Sequence, residues 1–391
     1  MSLTATLAVR DLTDPAEGPH AIQEIVTAVL NAVTTRWPSA DLLVHRGDRI
    51  VDVADNYDRL GYSPSAAARD ARYTRYVSDG RMLRSQTSAL IPGALRLLGA
   101  TPGPTLIACP GIVYRRDCID RLHTGTPHQL DLWWVTPTPA PSGGAQPSSD
   151  QTRGGRTRDS QSQDGKAVEL LELVETALAA ALPGVLWRTN PASHPYTTGG
   201  LEIEAWTGAG WVEIGECGVA ALHVIGPDRA GLALGLGLDR LLMVRKGVDD
   251  IRLLRSADPR VATQMLDLTP YRPVSAQPTA RRDVSVALPA GVTAEEIGDR
   301  VRDLLGPDAV LVEEVSILSA TAPDDLPPAS RERLSLRPGE VNVLVRVILR
   351  DLHATLPRRR ANALRDRIYE GLHNPAHREP PTRPRPAHRA A

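Results

Sequence analysis

The stretch GIVYRRDCIDRLHTGTPHQLD, residues 111–131, decides how the rest of the chain is read. Ile112, Val113 and Tyr114 run into Arg115, Arg116 and Asp117, a strand that ends in charge. A polar loop carrying His123 follows. His128, Gln129 and Asp131 then lead into Leu132-Trp133-Trp134-Val135, a return strand. Such a strand, loop and return strand can hold a polyphosphate beside an ammonium. Arg grips phosphate through paired N–H donors, and Asp131 suits an amine. The same residues also fit a solvated hairpin loop, and taken alone they leave both open.

Outward from this stretch the chain reads as mixed α and β. Ile22, Ile25, Val26, Val29, Leu30 and Val33 recur at three- and four-residue spacing and predict a helix over 20–33. LIAC, GIVY and DLWWV between Leu106 and Val135 read as short strands. Residues 136–165 are almost devoid of apolar side chains and rich in Pro, Gly, Ser and Gln, which predicts a disordered insertion. Val168, Leu171, Val174, Leu178 and Leu182 fit a helix stopped by Pro183-Gly184. LEIEAW, TGAG and WVEIGE (201–216) read as a pair of adjacent strands. GLALGLGLDRLLMV (231–244) reads as a glycine-rich lead into a buried helix. TPYRPVSAQPT (269–279) marks a boundary. Beyond it the order is strand (Asp283–Leu288), helix, strand (Leu311–Leu318), loop, strand (Asn342–Leu349) and helix (Arg358–Leu372). Thr293 and Glu296 form a capping box for the first helix. That order suits a small ferredoxin-like sandwich.

Composition sets limits. The chain has 391 residues, with 45 Lys+Arg, 46 Asp+Glu and a net charge of -1, so it is no polybasic protein. No apolar run approaches a membrane span. The N-terminus has the pattern of neither a secretory signal nor a transit peptide. Cys109, Cys118 and Cys217 are widely spaced, which points to a reducing cytoplasm rather than a disulfide framework. GxxxxGK, HExxH, GxSxG and CxxC motifs are absent. Lys occurs only at Lys166 and Lys246, and Phe does not occur at all. Ordinary usage would place about a dozen Phe in such a chain.

Five segments resemble, in order, the catalytic (alpha) subunit of phenylalanyl-tRNA synthetase, a class II aminoacyl-tRNA synthetase. They are NYDRLGYSPSAAARDARYTRYV (56–77), DGRMLRSQTSAL (79–90), residues 111–131 as motif 2, GLGLDRLLMVRKGVDDIRLL (235–254) as motif 3, and RRDVSV (281–286) onward. The resemblance implies an α+β catalytic domain over 1–270, an antiparallel sheet flanked by helices. It further implies a ferredoxin-fold anticodon-binding domain over 271–376 and a basic tail over 377–391, as in the single-chain organellar form. An amino acid would be activated by ATP, with Mg2+, and passed to a tRNA, expected to be phenylalanine tRNA. The expected setting is the cytoplasm, as monomer or homodimer, without membrane or DNA.

By the same resemblance Arg115 meets the α-phosphate, Asp117 lies near adenine, His123 is the loop histidine, and Arg240 lies near the γ-phosphate. Gly235 and Gly237 let the backbone approach the nucleotide. Gln129 and Asp131 take the substrate ammonium, Ser88 sits near its polar end, and Ala233 lies beneath its ring. His194, Tyr196 and Gln86 stand where the family has Phe, Phe and His. Pro127 replaces another Phe, Ile91 a Gln, and Thr198 a Glu, so Glu213 is the metal-contact candidate. Arg281, Arg282, Arg346 and Arg358 to Arg360 are the tRNA-phosphate candidates, supported by 19 Arg against 16 acidic residues from Arg272 onward. His128 and Asp239 are read as structural. The altered pocket leaves three functions open: a phenylalanine ligase that avoids Phe codons in its own gene, a ligase for a modified or hydroxylated aromatic amino acid, or a non-catalytic tRNA-binding paralogue.

Overall fold

The computed structural model describes residues 2–98, 103–138, 158–274 and 277–373. After β1 (Asp41–Val44), three short strands, β2 (Ile50–Asp52), β3 (Tyr76–Ser78) and β4 (Arg81–Leu83), make a small sheet in the order β2-β4-β3. The chain returns to the main sheet with β5 (Thr105–Ile112), β6 (His128–Pro137), β7 (Trp187–Pro191), β8 (Thr197–Trp206), β9 (Trp211–Ala220) and β10 (Arg229–Gly237). Its order is β1-β5-β6-β10-β9-β8-β7. Among the described residues only the β1/β5 pair is parallel.

Period-two patterning in β6 and β10 sorts the two faces of this sheet. Leu130, Leu132, Leu232, Leu234 and Leu236 turn one way. They share a core with the helices Ala21–Arg36, Arg158–Ala181 and Leu238–Lys246. Gln129 and Asp131 turn the other way, directly opposite Gly237 and Gly235. Two residues without side chains thus leave a trough above two polar ones.

Two expectations need correction. LIAC and GIVY are not separate strands, because Thr105–Ile112 is one buried strand despite Pro110 and Gly111. Pairing with β1 stops at Ala108, so Pro110 lacks its N–H where no neighbour needs it. Gly111 is required because a Cβ there would lie 2.1 Å from the buried Arg84 guanidinium, whose Nε donates to the Ile112 carbonyl at 2.7 Å. Of the predicted insertion, residues 139–157 lie outside the described residues. Residues 158–165 belong to the helix Arg158–Ala181, which begins before the apolar spacing does.

A second core forms beyond residue 280. Strands β11 (Ala280–Pro289), β12 (Val312–Thr321) and β13 (Glu340–Leu349) pack against the helices Ala294–Leu305 and Arg358–His373. β13 lies between β11 and β12 and is antiparallel to both, the order expected of the ferredoxin-like sandwich. Such a sandwich carries four strands, and among the described residues this one has three. The 377–391 tail lies outside the described residues. The Thr293 capping box is present, with Glu296 returning a bond to the Thr293 N–H.

This unit sits on the 117–121 segment. Ile119 joins its core, and the Ile119 carbonyl accepts from Val315 N–H at 2.8 Å. Arg302 donates to the carbonyls of Asp117 and Cys118. The buried Glu313 carboxylate pairs with Arg121 at 2.8 Å, Arg350 at 2.6 Å and Arg252 at 3.6 Å. Removing it leaves three guanidinium groups facing one another. Glu313→Ala is expected to cost about 3 kcal/mol in urea unfolding. A loss below about 0.5 kcal/mol would show that these ion pairs do not hold the unit in place.

Candidate active site

The trough opens into a cavity of about 290 Å3. Its wall includes Gln86, Ser88, Arg115, Asp117, His123, Gln129, Asp131, Glu213, Gly235, Gly237 and Arg240. These come from four separate stretches of sequence. Arg115, Arg240 and Asp131 therefore share one cavity.

Each group is held by its own element. Arg115 ends the β5 extension, where its N–H donates to the Gly125 carbonyl across the loop and its Nε to the Ser85 carbonyl at 2.8 Å. Arg240 stands in the first turn of the helix Leu238–Lys246, just past Gly237. Its Nη1 donates to the Glu213 carbonyl at 2.9 Å and pairs with the Glu213 carboxylate at 3.2 Å. Its Nη2 lies 2.8 Å from His123 Nε2. His123 Nδ1 lies 2.7 Å from Asp120. In the neutral ring, Nδ1–H donates to Asp120 and Nε2 accepts from Arg240. Burial works to raise the Asp120 carboxyl, but the His123 hydrogen bond and the Leu122 N–H bring it down to about 2. The Asp120 bond in turn raises the His123 pKa.

Asp131 is buried. It accepts from Thr87 Oγ1 at 2.6 Å, Ser88 Oγ at 2.8 Å and Trp133 Nε1 at 3.3 Å. Burial pushes its pKa up to about 6, only partly offset by the Thr87 and Ser88 bonds, and Glu216 adds like-charge repulsion. Gln129 accepts from the Thr87 N–H, and Gln86 is fixed by the Asn56 carbonyl and Tyr62. His128 and Asp239, read as structural, also border the cavity, and the buried His128 ring bridges Asp239, Arg255 and the Leu12 N–H.

Three expected substrate contacts are not among the residues that line the cavity. Tyr196 and Ala233 are buried in a core cluster with Trp133, and neither reaches the cavity wall. His194 stacks on Tyr196 with ring centroids 5.9 Å apart, and its Nε2 pairs with Glu216 at 2.6 Å. Tyr196 OH also donates to Glu216. Glu216 itself lines the cavity. Sequence reading passed over Glu216 and Thr87. The signal for Glu216 was a charge on the trough face of WVEIGECG, and that for Thr87 a hydroxyl next to Ser88.

A divalent cation would find oxygen donors in Glu213 and Glu202. Burial and the neighbouring Glu213 and Glu204 charges raise the Glu202 pKa, a like-charge arrangement that suits a hard cation. Among the described residues, Asp117, Cys118 and His123 also bring ligand atoms within 4.8 Å of one another. Burial and nearby carboxylates push the Cys118 thiol up to about 12, which disfavours the thiolate a metal needs.

The tRNA-phosphate candidates differ in exposure and in pairing. Arg281 is exposed on β11, whereas Arg282 turns to Asn362 on the last helix. Arg346 is committed to Asp283 through two bonds of 2.9 and 2.8 Å. Arg358 and Arg359 are exposed, and Arg360 pairs with Asp308. No helix among the described residues is long and apolar enough to cross a membrane.

The family model "tRNA synthetases class II core domain (F)" matches residues 12–138 and 164–265. The chain belongs to the class II tRNA synthetases. It is similar to the phenylalanine–tRNA ligase alpha subunit of Prochlorococcus marinus strain MIT 9313, with 28% identity over 65% of this chain and 69% of the relative. The corresponding subunit of Laribacter hongkongensis is 30% identical over 60% of this chain and 64% of its own length. The pyrrolysyl-tRNA synthetase of Desulfitobacterium hafniense aligns over 69% of this chain and 81% of its own, with 14% identity and a TM-score of 0.45. The synthetase core thus coincides with the main sheet and its cavity, and the family match ends before β11.

With Asp131 as the expected partner of a substrate ammonium, its raised pKa sets a pH dependence for binding that ammonium. Only the carboxylate attracts it, so below pH 6 the KM for the amino-group substrate is expected to rise about tenfold per unit. Asp131→Asn is expected to raise that KM about 30-fold, equivalent to about 2 kcal/mol. A flat KM from pH 5 to 8 would remove Asp131 from this role.

Proposed function

We propose that this synthetase activates an amino acid with ATP and transfers it to a tRNA, the amino acid being of the phenylalanine type. The observation that carries this reading is the single cavity shared by Arg115, Arg240 and Asp131. A substrate carboxylate oxygen attacks the α-phosphorus, and the bond to the bridging oxygen breaks, releasing pyrophosphate. The terminal ribose hydroxyl of the tRNA then attacks the acyl carbon, and AMP leaves.

The chain's part is positioning and charge neutralisation. Arg115 stabilises the α-phosphate and Arg240 the far end of the triphosphate. His123 fixes the Arg240 guanidinium, and Asp117 lines the nucleotide side. Gly235 and Gly237 leave room for the bound molecules. Asp131, oriented by Thr87 and Ser88, takes the ammonium beside Gln129. Glu213 and Glu202 would hold Mg2+, which screens phosphate charge when bound. Arg281 and Arg358 are the exposed phosphate contacts for tRNA.

ATP–pyrophosphate exchange over a panel of amino acids tests this reading. Exchange with at least one aromatic amino acid is expected, and Arg115→Ala or Arg240→Ala is expected to lower it about a hundredfold or more. Absence of exchange with every amino acid would leave a tRNA-binding paralogue without catalysis.

The absence of Phe fits a synthetase made when charged phenylalanine tRNA is scarce. Large buried rings here are Trp133, Tyr57 and Tyr114, so the core accepts aromatic side chains while avoiding Phe. With phenylalanine itself as the substrate, expression during inhibition of the housekeeping enzyme is expected to restore growth and tRNA charging. Unchanged growth and charging would count against a rescue role.

A further inference from the structure

The side-chain end of the cavity does not have the chemistry of a slot for a bare aromatic ring. Tyr196 and Ala233, the residues expected around that ring, are each 3% exposed and packed with Trp133. Glu216, to which the Tyr196 hydroxyl donates, does line the cavity. Asp131 on β6, Gly235 on β10 and Glu216 on β9 stand directly opposite one another in register. Directly opposed residues on paired strands share a face. Two inter-strand spacings separate the Cα atoms of Asp131 and Glu216, about 10 Å in all. With only Gly235 between them, the two carboxylates border the space an amino acid would span. The α-ammonium occupies one end, and the side chain meets the other.

We infer that Glu216 is the residue that selects the amino acid, and that it selects a side chain bearing a hydroxyl, which donates to its carboxylate. This assignment rests on the reading of the cavity as an amino-acid-activating site. An apolar ring lacking a donor would desolvate the Glu216 carboxylate and give nothing back. A site arranged to accept from a substrate hydroxyl discriminates strongly against the analogue that lacks it.

The charges around Glu216 favour a neutral donor over a cationic one. His194 pairs with it at 2.6 Å, and that bond raises the His194 pKa, favouring the imidazolium. Burial works to raise the Glu216 pKa, but His194, Tyr196 and Arg115 bring it below the usual carboxylate range. The carboxylate is therefore ionised and already balanced. Tyr196 OH donates to one of its oxygens and His194 to the other, and each oxygen keeps lone-pair capacity for a further donor. An ammonium side chain would add uncompensated positive charge beside Arg115.

The test is ATP–pyrophosphate exchange by the full chain. The panel holds phenylalanine, its ring- and β-hydroxylated forms, serine, threonine, lysine and ornithine. A hydroxylated amino acid is expected to exceed phenylalanine about a hundredfold in kcat/KM. Glu216→Ala is expected to reduce that ratio to about threefold or less, mainly through the KM of the hydroxylated substrate, while the KM for ATP stays within about threefold. Glu216→Gln keeps the shape and one acceptor oxygen and is expected to give an intermediate ratio. It serves if the alanine variant does not fold, as judged by thermal melting. Equal use of phenylalanine by the wild type, a best substrate with a cationic side chain, or a ratio unchanged in the variants overturns the assignment while leaving the ligase reading intact. No exchange with any amino acid overturns both.

Discussion

Everything about the cavity depends on a period-two constraint across three neighbouring strands. Where β6 presents Gln129 and Asp131, β10 presents Gly237 and Gly235. On the opposite face the same strands present leucines, which bury the sheet against three helices. A one-residue slip of β10 against β6 would put Leu234 and Leu236 over the carboxylate and turn the glycines into the core. The apolar face therefore enforces the register of the polar face. Burying those leucines, a gain of roughly 2 kcal/mol for each side chain, is what keeps an ionisable group such as Asp131 in a costly place.

The two arginines solve a different problem. On the proposed reading they face a highly charged ligand without collapsing onto the nearest carboxylates in its absence. Arg240 is held by a carbonyl, a half-exposed carboxylate and the His123 imidazole, and Arg115 by the Ser85 carbonyl. Most of these partners carry no full charge, so an incoming phosphate competes with them on favourable terms. The His123–Asp120 pair extends this logic. It orients the ring so that Nε2 is the acceptor, and it keeps Asp120 turned away from Arg240.

Much of this was legible in the sequence because it is local. Helical spacing from Ile22 to Val33, the alternation of LEIEAW and WVEIGE, and the Thr293–Glu296 capping box depend on neighbours in the chain. The motif segments placed Arg115, Asp117, His123, Gln129, Asp131, Gly235, Gly237 and Arg240, and all of them line the cavity. What escaped was non-local. Nothing near Gly111 in the sequence shows Arg84 lying against it. The split of LIAC from GIVY followed from the same blindness, since the tolerance of Pro110 depends on where β1 ends. Glu313 gives no local sign that three arginines from distant segments converge on it.

The pocket residues show the limit most clearly. His194 and Tyr196 were placed against substrate because family positions were carried over one at a time. A side chain's reach depends on what its neighbours leave free, and here Glu216 draws both toward itself. Residues 194, 196 and 216 therefore act as one unit: a carboxylate beside two phenylalanines would be unpaired, and a histidine and a tyrosine without it would lack an acceptor. Phenylalanine at 194 and 196 would leave Glu216 without its two donors, so the absence of Phe at these positions follows from pocket chemistry as much as from codon avoidance. The two causes separate elsewhere in the fold. At buried positions such as Tyr57 and Trp133, the Tyr57 hydroxyl bonds the Ala68 carbonyl and Trp133 Nε1 bonds Asp131, so each polar ring there has a structural task that Phe could not perform. In the purely apolar core of the second unit, built from Val, Leu, Ile and Ala, no such task exists, and the lack of Phe there has no packing explanation.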